Sequence, residues 1–321
     1  MKKVILILYL IIPLISFSKN SNGVKDTLKV GVYVDNIYDI NYLNSSYKTI
    51  FYVWFISTKE LKTDNINKDI SNFLDVDKLI EYNSLLVESN LIKDSTSNKY
   101  YYLNKINATI LNNLDVSKFP FDNQKLTIYL ELNTHYKGDF VVLLDKRNSK
   151  IKPNFIDKWE IGKVDFKYDS KNWDSNFGDI LNEKYELDAI SINIPLYRES
   201  WTIYWKLFVV LFISFFLTSI SVFIPNKNSE QKLSLIVGSL FTAIGNKYIT
   251  ESYLPISDQF NLSDKLHLIT FIFIAFFSIY AIFEQRARLK DDFKKDFYVF
   301  VISIVIYILF ISITTYSYSD N

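Results

Sequence analysis

The chain is 321 residues long, 49% hydrophobic and 22% charged, with a formal net charge of only +1. That balance excludes the basic footprint of a nucleic-acid binder. The absence of cysteine excludes disulfides and thiolate metal centres, and two histidines leave little imidazole for a metal site, so no metal or cofactor is expected.

The chain opens MKKVILILYLIIPLISFSKN: two lysines, an apolar run from Val4 to Phe17, and small residues at Ser16 and Ser18. This is the pattern of a secretory signal peptide over residues 1–18. An uncleaved anchor is the other reading, although the run is short for a span needing about 20 residues. From Lys19 to Ser200 the chain is polar, with short runs that alternate. Val30, Val32 and Val34 share one face of VGVYVD, and Ile190, Ile192, Ile194 and Leu196 share one face of AISINIPL. In KLTIYLEL the residues Leu126, Ile128, Leu130 and Leu132 oppose Lys125, Thr127, Tyr129 and Glu131. A period of two marks half-buried strands, and several of them predict an antiparallel sandwich.

Just before the last of these runs stands NLDVSKFPFDNQKL, Asn113 to Leu126, with Phe119, Pro120, Phe121, Asp122 and Gln124. Pro120 pins a turn and interrupts strand pairing, while two aromatics beside a carboxylate make a loop tip that is apolar and charged at once.

After Trp201 the composition turns to Ile, Leu, Phe and Val, with three clear spans at Trp205–Pro225, Leu266–Phe283 and Phe297–Ile313. Between the first two lies GSLFTAIGNKYITESYLP, residues 238–255. Its uncharged part with the residues before it, Leu233 to Gly245, has 13 residues and cannot span alone, so a fourth crossing must continue through Asn246, Lys247 and Tyr248. Arg286, Arg288, Lys290, Lys294 and Lys295 crowd one loop, whereas Glu251 to Asp264 has no lysine or arginine. The positive-inside rule puts the former loop in the cytoplasm, which four crossings, at about 205–225, 233–250, 265–284 and 297–314, satisfy. No enzyme is expected. GSLFTAIGNK has the wrong glycine spacing for a phosphate loop, no G-x-S-x-G elbow exists, and His135 and His267 fall in different halves. His267, at the start of the third crossing, reads as an interfacial residue or a proton sensor.

On the LDVSKFPFDNQ loop, the order of sandwich then four crossings, and the YLP that closes the second crossing, the chain resembles the pentameric ligand-gated ion channels. These form the Cys-loop receptor superfamily, and the likeness is to its bacterial branch. It covers essentially the whole chain after the leader. The family's loop lies between two cysteines; here Asn112 and Leu126 stand in those positions, as in bacterial members that lack the disulfide. The resemblance implies a β-sandwich extracellular domain over residues 19–200 and an all-α four-helix transmembrane domain over 201–321. It implies a homopentamer in the lipid bilayer of the cell membrane, with the N-terminal domain outside the cytoplasm.

It further implies that the second crossing lines a path for permeant cations. Glu230, Ser234, Gly238, Phe241, Gly245, Tyr248 (or Ile249) and Ser252 would face the axis, a spacing that forms one helical face. Five copies of Phe241 would form an apolar constriction, and five of Glu230 an acidic ring favouring cations. Lys232 works against that ring unless it is an ordinary interfacial lysine, and Glu251 offers a second ring. The family usually has leucine or isoleucine where this chain has Phe241 and Gly245. Asn246 and Lys247 are expected against a neighbouring helix or the outer water, with Lys247 paired to Glu251.

The ligand, a small extracellular molecule and by chemistry a cationic amine, would bind between subunits under a hairpin bearing Trp173 and Phe177. Facing loops would add His135 and Tyr136, and the strand FYVWF would add Tyr52 and Trp54 from the opposite subunit. Packing of Trp173 and Phe177 at a subunit contact and of Trp54 in the core is the other reading. Coupling would run through Phe119, Pro120, Phe121 and Asp122, with an Asp122–Arg198 ion pair beside Pro255. The expected function is a ligand-gated, cation-selective channel; the alternative is a non-conducting or proton-sensing oligomeric receptor of the same fold.

Overall fold

The computed structural model describes residues 26–61, 74–93, 98–132, 140–153, 159–175, 177–178, 185–254, 260–287 and 292–319. Residues 1–18, His135, Tyr136 and Pro255 lie outside the described residues.

The N-terminal part is two β-sheets. The first contains β1 (Asp26–Asn41), β2 (Ser46–Ser57), β4 (Leu79–Lys93), β5 (Asn98–Leu111), β7 (Phe140–Leu144) and β8 (Lys150–Ile151). Its order is β4-β5-β2-β1-β7, with β8 beside β1. The second contains β3 (Leu74–Val76), β6 (Gln124–Leu132), β9 (Trp159–Ile161), β10 (Asp165–Trp173) and β11 (Tyr185–Arg198). Its order is β10-β11-β6-β3, with β9 beside β11. The alternation fixes which face each strand buries. Val30, Val32, Val34, Phe51, Val53 and Phe55 from the first sheet meet Leu126, Ile128, Leu130, Ile190, Ile192 and Ile194 from the second in one apolar core. Each such side chain removed from water contributes about 1.5–3 kcal/mol.

The sandwich differs from the antiparallel expectation on one edge, because β1 pairs in parallel with β7 and β8. At 16 residues β1 outruns its hairpin partner β2, and its free edge is filled by short strands that arrive after a long excursion rather than a tight turn. The second departure is β4, an edge strand of 15 residues exposed along most of its length despite carrying Ile80, Leu85, Val87, Leu91 and Ile92.

The C-terminal part is four helices: α1 (Ser200–Ile220), α2 (Ser229–Glu251), α3 (Leu262–Arg286) and α4 (Phe293–Ser319). α1 runs into a 3-10 turn at Ser221–Phe223 that Pro225 ends, and α3 begins with a capping box between Asn261 and Asp264. α1 starts five residues before the expected crossing, because the interfacial aromatics Trp201, Tyr204 and Trp205 are already helical. Phe208, Leu211, Phe215, Ile236, Ala243, Leu266, Ile274, Phe277 and Tyr307 make the bundle core, where Phe215 and Tyr307 stack with ring centroids 3.6 Å apart. The helices α1 (with its 3-10 turn), α3 and α4 are long and apolar enough to cross a membrane. α2, about 34 Å long at 1.5 Å per residue, is long enough and much more polar.

Candidate functional site

α2 carries polar residues on both of its faces. Its buried side carries Lys232, Ile236, Ser239, Ala243, Asn246 and Thr250. Its exposed side, together with the cap residue after it, carries Glu230, Ser234, Gly238, Phe241, Gly245, Tyr248, Ile249 and Ser252, which are all the residues predicted to face an axis. Phe241 is 68% exposed and Tyr248 71%. A helix packed on one side by α1 and α3 therefore presents a small, polar and aromatic stripe that stays exposed in the single chain. At Gly238 and Gly245 an added Cβ would meet no atom within 4 Å. Packing within the chain thus gives no reason for glycine at either place. They stand one position on each side of Phe241 along the same stripe and leave its ring without side-chain neighbours above and below.

The buried polar groups of α2 are satisfied by neighbouring helices. Asn246 donates to the Leu207 carbonyl of α1 at 2.8 Å, and its Oδ1 lies 3.1 Å from His267 Nε2. The Ser214 hydroxyl donates to the Ser239 carbonyl at 2.7 Å. His267 is fully buried rather than interfacial, because Ser263 and Asn246 offer its two ring nitrogens acceptors inside the bundle. Lys247 pairs with Glu251 as expected and also with Asp264, each at 2.8 Å. Lys232 is not an ordinary interfacial lysine either. It turns away from the exposed stripe into the bundle and meets Glu284 of α3 at 3.1 Å, which also binds Lys295 of α4 at 2.8 Å. A buried ammonium needs a partner, and Glu284 supplies it.

The sandwich and the helices meet at the FPFD loop. Arg198, the last residue of β11, donates to Asp122 Oδ2 at 3.1 Å, the expected ion pair. The same oxygen accepts from the Tyr42 hydroxyl at 2.8 Å and from Gln124 at 2.6 Å. The guanidinium is boxed by rings, with centroids of Trp159 at 4.0 Å, Phe119 at 5.1 Å and Tyr42 at 5.4 Å. Burial pushes the Asp122 carboxyl up to about 6, with the Gln124 hydrogen bond pulling the other way, and burial brings Arg198 down to about 10. Phe119 and Val116 pack with Leu254, the residue after α2 that precedes Pro255, and against Ile203 and Leu207 of α1. Phe121 packs edge-on to Trp201 at 5.0 Å. One loop thus touches the start of α1 and the segment that follows α2. Its base is closed without cysteine: the Asn112 side chain donates to the Lys125 carbonyl at 3.0 Å and accepts from the Thr127 amide at 3.2 Å. Those two residues bracket Leu126.

The predicted ligand residues divide between the sheets. Tyr52 and Trp54 lie on the outward face of β2, half-buried, with Trp54 across Gly31 and 3.3 Å from Asp145, so Trp54 is not a core residue. Trp173 and Phe177 lie on the second sheet and just beyond it, ring to ring at 5.4 Å, with Phe177 63% exposed. A single chain does not join the two pairs; the first sheet of one copy against the second sheet of another would. Near the junction, an open cleft of about 700 Å³ is lined by Phe121, Arg198, Trp201 and Ser319 among others, away from both pairs.

Sequence reasoning missed Tyr42, Trp159 and Glu284, because Asp122, Arg198 and Lys232, which they meet, are 39 to 80 residues away and spacing alone does not link them. No protein-family model matches the chain. No curated protein matches it either.

Proposed function

We propose that the chain is one subunit of a homopentameric, ligand-gated, cation-selective channel, with α2 of every copy lining the path. The observation that carries this reading is the exposed face of α2. It holds Glu230, Ser234, Gly238, Gly245 and Ser252 beside Phe241 and Tyr248, whereas the exposed faces of α1, α3 and α4 are mostly Val, Ile, Leu and Phe suited to lipid. Polar groups at membrane depth are tolerated where they face water or a bundle interior, and five such stripes around an axis provide that water. α2 is then the fourth crossing. Phe241 makes the apolar constriction at mid-helix, closing by dewetting. Glu230 remains exposed at the inner end while the Lys232 charge is buried and paired, so the mouth is acidic and favours cations. The sandwich lies outside the cytoplasm, and ligand binding between copies reaches α2 through Phe119, Leu254 and the Asp122–Arg198 pair as a population shift.

The test is expression of the full chain, stoichiometry by mass, and current recording with primary amines applied to the sandwich side. Phe241→Ala is expected to pass current without ligand, and Glu230→Gln to reduce the cation-to-anion permeability ratio. Silence of both the parent and Phe241→Ala in assembled pentamers would overturn conduction.

One observation favours the proton-sensing receptor as a second reading. The Asn246 amide is fixed by its bond to Leu207, so His267 Nε2 faces an acceptor, while Nδ1 lies against both the carbonyl and the hydroxyl of Ser263 and can donate to the former when protonated or accept from the latter when not. A response to pH that His267→Phe abolishes would favour it.

A further inference from the structure

Lys171 on β10 reaches diagonally over β11 to strands β6 and β3. Its ammonium pairs with Asp77 at 2.8 Å and with Glu131. It lies 4.0 Å from the centroid of the Trp173 ring and 5.7 Å from that of Tyr129. Tyr129 is hydrogen-bonded to Asp169, and Asp75 adds its field at Glu131. Two carboxylates, Asp77 and Glu131, therefore hold one ammonium beside two aromatic faces, and two more, Asp75 and Asp169, stand against its neighbours Glu131 and Tyr129. The Glu131 side chain is only 7% exposed, while those of Lys171 and Asp77 keep about a fifth of their surface in solvent. Phe177 packs on Trp173 at the rim.

Carboxylates that accept N–H bonds, joined to rings that attract a cation through their faces, are the chemistry that recognises a primary ammonium. Here that chemistry is already satisfied from within, and carboxylates remain in excess. We propose that this outward face of the second sheet is a primary-amine site whose resident occupant is Lys171, and that an external amine binds by displacing it. The inference rests on the reading of the region around Trp173 as the ligand site. A tethered ammonium competes at an effective concentration on the order of millimolar, so Lys171 sets how much free amine is needed. It is a specificity-determining residue: it rejects cations that cannot outbid it for Asp77 and Glu131. A quaternary ammonium has no N–H to offer those carboxylates and should bind weakly whether or not the lysine is present.

The experiment is calorimetric titration of the purified full chain with propylamine and, separately, with tetramethylammonium. Lys171→Met is expected to bind propylamine at least about tenfold tighter than the parent, the gain for a site that its internal competitor leaves free about one time in ten or less, and tetramethylammonium is expected to bind more weakly than propylamine to both proteins. Equal or weaker propylamine binding by Lys171→Met, or tetramethylammonium binding as tightly as propylamine to that variant, overturns the proposal. Because that substitution strands Glu131, the parent protein supplies a second measurement. Acylation of Lys171, relative to exposed Lys167 in the same sample, should rise as propylamine is added; an unchanged ratio overturns the proposal. Both readouts are independent of current. Tightening in a silent pentamer would keep this inference and count against the channel, whereas amine-gated current without tightening or uncovering would do the reverse.

Discussion

The two ends of α2 are held by the same chemistry under opposite conditions. At the N-terminal end Lys232 and Glu284 are each 4% exposed in their side chains. At the C-terminal end Lys247 is 29% exposed and its partners Glu251 and Asp264 are 51% and 26% exposed. A buried pair contributes little beyond an apolar pair of the same shape, but removing one member leaves an uncompensated charge and is costly. An exposed pair is screened and costs little to open. The N-terminal end is therefore a fixed point and the C-terminal end a yielding one. The yielding end is also where Leu254 meets the FPFD loop, so motion of the sandwich has a compliant helix terminus to act on.

The largest effect should come from Glu284→Ala, which strips a partner from buried Lys232 and from Lys295 together. A loss of about 3–5 kcal/mol, read from the thermal or denaturant unfolding of the purified protein, is expected; a loss below about 1 kcal/mol would make the two ends equivalent. Arg198→Ala should come next, at about 3 kcal/mol, because it leaves Asp122 buried without its cation. Asp122 also gives this junction a pH signature. Its folded value of about 6 lies above the ordinary 3.8, so the folded protein holds the extra proton between those values. The stability contributed by this group rises as pH falls through about 6 toward 3.8 and is lost again on returning to neutral pH. Asp122→Asn should flatten that part of the stability profile, and an unchanged profile would assign the dependence elsewhere.

Gly245→Ala is expected to stabilise α2 by about 1 kcal/mol, since helix propensity favours alanine and open space receives the new methyl. Destabilisation would mean that another copy packs there. The smallest effect belongs to Lys247→Ala, below about 1 kcal/mol. A cost as large as that of Glu284→Ala would erase the contrast between the ends.

Much of the fold was legible because period alone carries it. The alternation at Val30–Val34, Leu126–Leu130 and Ile190–Leu196 names the core faces, and the spacing from Glu230 to Ser252 names the exposed face of α2. β4 escaped because both of its faces are exposed and its apolar residues do not alternate cleanly. The charge sites escaped for a different reason. Lys171 meets Asp77 and Glu131 only once sheet order places β10, β11, β6 and β3 side by side, and Lys232 meets Glu284 only through helix packing 52 residues away. Periodicity tells which way a side chain points; it does not tell what waits there. Asp122 and Arg198 were paired through family likeness, while the rings of Tyr42 and Trp159 that box the guanidinium had no sequence cue.

The side-chain clasp of Asn112 across Lys125 and Thr127 has a consequence for where the protein can work. A loop closed by amide hydrogen bonds carries no redox state. Thiol reductants and oxidants leave the joint between sandwich and helices unchanged, and its assembly needs no oxidising compartment or thiol-exchange catalyst. What holds the loop shut instead responds to whatever competes for hydrogen bonds, so denaturant and not reductant is the agent that opens it.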